Sequence, residues 1–249
     1  MDDAVESAAA GGAAKRAYVQ GIFSEIAPRY DFLNHVLSLN IDRAWRRAAL
    51  AALGWERRPD GMFVDLCAGT LDVGARLARA AGFHGFVVAA DFAEPMLRAG
   101  RGKAPAAVLG PVTADALQLP LADGSAAGAI VAFGIRNVAD LDVALREVFR
   151  VLEAGGRFVI LEFSTPRLAI VRAVYQLYFH HILPVIGRVV SGHRTAYTYL
   201  PRSVANFPVE EELARRMERA GFAGVHWESL SFGIAAVHVG TRASSSPSP

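Results

Sequence analysis

"VDLCAGTLDVGARLARA", residues 64–80, is the stretch whose reading decides the fold. An apolar run ends at Leu66, a short turn follows, and Leu71, Ala75 and Ala78 then recur at helical spacing, which makes strand, tight turn and helix. In an open α/β sheet the first such unit faces the crevice that holds nucleotide-like ligands. Its turn offers Ala68, Gly69 and Leu71 where a dinucleotide site shows G-x-G-x-x-G, so it lacks the glycines that let backbone approach a pyrophosphate.

The alternation continues on the C-terminal side. "GFVVAADF" (85–92) is a second apolar run ending at Asp91, "EPMLRAGRGK" (94–103) a short helix, and "AAVLGPVTADA" (106–116) a third strand leading to Asp115. "AAGAIVAFGIRNV" (126–138) is a fourth strand with a Gly-containing loop. "DLDVALREVFRVLEAGG" (140–156) puts Leu141, Leu145, Val148 and Leu152 on one helical face and is expected to stop at Gly155. "RFVILEFS" (157–164) is a fifth strand. Strands this apolar, separated by helices, imply a parallel sheet covered on both faces. The last third changes pattern: "PVEEELARRMERAGF" (208–222) carries Leu213, Met217 and Ala220 inward, and two β-rich runs around Gly233 form a hairpin that closes one sheet edge. We expect one domain over residues 17–243, with an N-terminal cap (17–55), an inserted lid (165–200), and disordered tails at 1–16 and 244–249, where small and polar residues bury little.

Composition excludes several classes. The net charge of +2, from 26 basic and 24 acidic residues, gives no cation excess for binding nucleic acid. The single cysteine, Cys67, rules out an internal disulfide and a cysteine-based zinc cluster and suits a reducing cytoplasm. The N-terminus has no signal-peptide pattern. In "LAIVRAVYQLYFHHILPVIGRVV" (168–190) the apolar run is interrupted by Arg172, His180, His181, Pro184 and Arg188, too often for a bilayer span. It reads as an amphipathic lid resting on the membrane surface, or as a core or homodimer-interface helix. His180, His181 and His193 have no carboxylate at ligand spacing, so no metal is assigned.

Ligand sites in such sheets lie beyond the carboxyl ends of the strands. Asp91 is placed to accept both hydroxyls of a ribose. Asp115 either orients an adenine or caps a turn. S-adenosylmethionine carries no phosphate, so a turn with few glycines suits it better than NAD.

Longer strings point the same way. "YDFLNHVLSLNIDRAWRRAAL" (30–50) and "FGIRNVADLDVALREVFRVLEAGGRFVILEFSTP" (133–166) resemble the two signatures of the ubiquinone/menaquinone biosynthesis C-methyltransferases, and "YLPRSVANFP" (199–208) and "AGF" (220–222) extend the resemblance over about residues 18–242. It implies a class I S-adenosylmethionine-dependent methyltransferase fold, Rossmann-like, with a seven-stranded, mostly parallel sheet and a C-terminal β-hairpin. It also implies S-adenosyl-L-methionine as cofactor and a polyprenylated quinol as acceptor, either a demethylmenaquinol or the ubiquinone precursor. The family's D-x-A-G-G-T-G-D is D-L-C-A-G-T-L-D here, with Ala68 and Leu71 in place of glycines, and Ala132 stands where a serine is usual. Carried over as cofactor contacts are Asp65, Gly69, Thr70, Asp91, Asp115 and Ala116.

Methylating a ring carbon needs electron density on the ring and an outlet for one proton. The candidates are Arg136, as a fixed cation beside a developing phenolate, with Asn137, Tyr30 and Asn34; His35 is more simply a packed residue. If Arg136 is structural instead, Asp140 or Asp142 is the expected partner. A methyltransferase for another small phenol, and a non-catalytic partner subunit that has lost the cofactor, remain open on sequence.

Overall fold

The computed structural model describes residues 12–27, 38, 40–178 and 194–243. Its elements in chain order are α1 (Gly12–Ile26), α2 (Asp42–Leu53), β1 (Met62–Leu66), α3 (Asp72–Ala78), β2 (Phe86–Asp91), α4 (Glu94–Ala99), β3 (Leu109–Thr113) and β4 (Ala126–Ala132). These are followed by α5 (Leu141–Val151), β5 (Leu152–Phe163), α6 (Ala169–Leu177), α7 (Arg194–Ala205), α8 (Glu210–Arg219), β6 (Phe222–Leu230) and β7 (Ala235–Arg242). The strands form one seven-stranded sheet in the order β3-β2-β1-β4-β5-β7-β6. β1 pairs in parallel with both β2 and β4, and the order reverses between β1 and β4, so a crevice opens at their carboxyl ends. β7 runs antiparallel to both β5 and β6, which makes the expected hairpin.

Both faces of the sheet are covered at its centre, where β1, β2, β4 and β5 are buried on both sides. Phe63, Val87, Ile130, Val159 and Val237 pack one face against α2 and α3, and Val64, Val131, Phe158 and Ile160 pack the other against α5 and α8. α1 lies apart from both faces: Val19 and Ile22 meet Tyr175, Tyr199 and Val204 of α6 and α7, and Ala27 meets Ala93 and Met96.

Three boundaries differ from expectation. α1 begins at Gly12, inside the stretch expected to be disordered, because Val19, Ile22 and Phe23 give it an apolar stripe that the small residues before them do not announce. α5 ends at Val151 rather than Gly155: Leu152 takes extended angles and pairs with Ala126. Gly155, at φ +84°, lies within the register shift that follows. The segment expected as a lid holds α6 and the start of α7, which continues to Ala205, past the expected end at 200. His180, His181 and His193, like the tail 244–249, lie outside the described residues.

Candidate active site

The turn after β1 is built by backbone strain and one carboxylate. Cys67, Gly69 and Leu71 all have positive φ, at +51°, +51° and +67°. Asp91, at the end of β2, accepts the Gly69 N–H on Oδ2 and the Ala93 N–H on Oδ1, both at 2.8 Å, and so clamps that turn to the next strand. Burial raises the Asp91 pKa above the usual carboxylate range, against the pull of its backbone hydrogen bonds. Leu71 does not crowd the turn, since its side chain is buried in the core. Gly100 packs directly against it, and a Cβ there would fall 2.6 Å from Leu71 Cγ and collide with the Thr70 carbonyl.

Gly69, Asp91, Asp115, Ala116 and Asn137 line one cavity, with Phe92, Met96, Ala114, Ala132, Phe133 and Val138. It is narrow, about 50 Å³, and Arg16 and Phe23 of α1 contribute to its wall. Asp115 caps its own turn, the second of the two expected roles, and also pairs with α1. Its Oδ1 accepts the Leu117 N–H at 3.0 Å, closing its own turn, while Oδ2 pairs with Arg16 at 2.9 Å.

Two of the expected cofactor contacts are placed elsewhere. Asp65 Oδ2 accepts the Gly74 N–H at 2.7 Å, which pins β1 to α3, and burial pushes its pKa up to about 7. Thr70 is buried beneath the turn and is not part of the cavity wall.

Arg136 is buried, and its partner is neither Asp140 nor Asp142. Its guanidinium donates to Glu162 Oε2 at 2.8 Å and Oε1 at 3.1 Å, and also to the Phe133 carbonyl. It lies over the Phe163 ring at 5.6 Å. Asp140 instead caps α5 by accepting the Val143 N–H, and Asp142 pairs with Arg216. Asn137 Oδ1 accepts the Tyr199 hydroxyl at 3.0 Å, tying the loop after β4 to α7. Tyr30, Asn34 and His35 lie outside the described residues.

Sequence reasoning missed Lys15, Arg16, Glu162 and Tyr199. Each acts across the chain, so only the helical spacing after Arg16 could have hinted at the first two.

The residue types suit S-adenosylmethionine. The Asp91 carboxylate lines the cavity, Gly69 leaves the turn open, and Phe92, Met96 and Ala116 offer apolar walls to a flat base. When bound, the cofactor supplies an electrophilic methyl group on a sulfonium. The sheet order, the antiparallel hairpin and an acid at the end of β2 beside a glycine turn define a class I S-adenosylmethionine-dependent methyltransferase.

The comparisons narrow this class. The ubiE/COQ5 methyltransferase family profile matches residues 12–242. A demethylmenaquinone methyltransferase of Thermus thermophilus is 48% identical over 89% of this chain and 100% of its own. The ubiquinone/menaquinone biosynthesis C-methyltransferase UbiE of Geotalea uraniireducens is 42% identical over 90% and 96%. A chain of the complex between the Haloferax volcanii Trm112 methyltransferase activator and a methyltransferase superposes with a TM-score of 0.62 at 17% identity, over 89% of this chain and 98% of its own, and shows the fold alone. The chain belongs to the ubiE/COQ5 methyltransferase family and is an S-adenosylmethionine-dependent C-methyltransferase.

Proposed function

We propose that this enzyme methylates the ring carbon of a polyprenylated demethylmenaquinol, in the cytoplasm and against the inner membrane surface. The observation that carries the reading is the near full-length likeness, at 42–48% identity, to relatives named for that reaction or for its ubiquinone counterpart. Arg136 and Asn137, immediately after β4, are the acceptor-side residues of the described chain, with Tyr30 and Asn34 completing the set. Arg136 is already neutralised by Glu162, which suits a fixed, oriented dipole better than a free cation. The apolar tail finds support on α6, where Ile170, Val174 and Leu177 are exposed at helical spacing, with Leu168 beside them. Among the described residues no helix is long and apolar enough to cross a membrane.

The test is mass-spectrometric detection of methyl transfer from S-adenosylmethionine to demethylmenaquinol and, separately, to the ubiquinone precursor. Transfer to the naphthoquinol is expected. Cofactor binding with transfer to neither quinol would overturn the reading.

A further inference from the structure

A second cavity, about 430 Å³, shares Val138 and Ala139 with the cofactor cavity, so the two adjoin at the loop after β4. The N-terminal end of α1 spans that junction. Arg16 reaches into the cofactor cavity toward Asp115, while Lys15 lines the second and donates from Nζ to the Arg136 carbonyl at 2.9 Å.

The charged and titratable groups that line this cavity with Lys15 come from several elements: Arg136 on the β4 loop, Tyr199 and Arg202 on α7, and Arg216 on α8. Arg136 is paired with Glu162, and Arg216 with Asp142 and Glu212. No carboxylate of the described residues lines this cavity. Lys15 is thus held by a carbonyl, partly out of water, beside guanidinium groups of which Arg136 and Arg216 are themselves ion-paired. Burial first, and Arg136 second, lower its pKa from the ordinary lysine value.

The three carboxylates nearest these cavities are engaged. Asp91 holds two backbone N–H groups, Asp115 pairs with Arg16, and Glu162 pairs with Arg136 and lines neither cavity.

Resting on the acceptor reading above, we propose that the second cavity seats the quinol ring and that Lys15 is the catalytic proton acceptor. As the ring carbon bonds to the methyl, the S–C electron pair stays on sulfur and the ring hydroxyl proton passes to neutral Lys15 Nζ, leaving a dienone. The carbon-bound hydrogen then leaves to water while the ammonium returns its proton to the ring oxygen. One proton is released overall, and the aromatic hydroxyl is restored.

The experiment is single-turnover methylation of a short-chain demethylmenaquinol from pH 6 to 10 with cofactor saturating. The wild-type rate should rise with pH and then level off. Lys15→Arg, which keeps the charge but cannot lose the proton, should be slower by about 10²–10⁴-fold with the rise abolished, while cofactor affinity and melting temperature stay near wild type. Lys15→Ala should regain rate with added primary amines, faster with more basic ones. Wild-type rate and pH profile in Lys15→Arg, or no amine response in Lys15→Ala should the arginine variant fail to fold, overturns the assignment. A wild type that binds cofactor but methylates no quinol instead overturns the acceptor reading, and this proposal with it.

Discussion

Asp91 carries two loads, and its substitution separates them. Removing the carboxylate takes away the ribose acceptor and also orphans the buried Gly69 and Ala93 N–H groups, at about 1–3 kcal/mol each. Asp91→Ala should therefore abolish cofactor binding in calorimetric titration and also lower the melting temperature. Asp91→Asn, which keeps one acceptor oxygen, should lose affinity with a smaller stability cost. Unchanged stability in the alanine variant would show that the two N–H groups find other partners. This double role was half legible: a carboxylate at a strand end announces a ligand contact, but nothing local announces that it also braces a turn 22 residues earlier. Asp65 shows the converse. It occupies a motif position, yet the helix that follows takes its oxygen. Lys15 was illegible because its partner, Arg136, lies 121 residues away, behind a run of alanine and glycine that reads as disorder.

At the scale of elements, strands and crossover helices were readable because burial on both sheet faces leaves unbroken apolar runs, and Leu213 and Met217 are buried as their spacing required. The end of α5 was misplaced because a glycine terminator and a strand start compete for the same residues, and pairing of Leu152 with Ala126 decides it. α1 is the element with most consequence for activity. It helps to wall the cofactor cavity through Arg16 and Phe23. The Arg16–Asp115 pair is solvent-accessible, with side chains 52% and 25% exposed, so it contributes at most about 1 kcal/mol. Arg16→Gln should speed cofactor association and dissociation by up to about 5-fold in stopped-flow mixing, with little change in melting temperature. Identical rates would mean that the cofactor enters without displacing α1.

The whole molecule should show an unusual pH dependence. Asp65 is buried with its pKa pushed up to about 7, whereas an unfolded aspartate releases its proton near pH 4. Between those values the folded chain holds the extra proton, so stability falls as pH rises from about 4 to 7, the reverse of ordinary acid unfolding. Asp65→Asn, which can still accept the Gly74 N–H, should match wild type near pH 4.5 in urea unfolding and exceed it at pH 8, by at most about 4 kcal/mol. A constant difference across that range would mean that Asp65 ionises normally. α1 sets one further expectation at this scale, since adjacent residues of one rigid helix face two cavities. Whatever stabilises the helix position favoured by one ligand favours the same position for the other, so the two binding equilibria are linked. Thermodynamic reciprocity then fixes the result: the factor by which saturating S-adenosylhomocysteine changes quinol affinity must equal the factor by which the quinol changes S-adenosylhomocysteine affinity. Severing the helix from either cavity, by Lys15→Ala or Arg16→Gln, should bring both factors toward unity together.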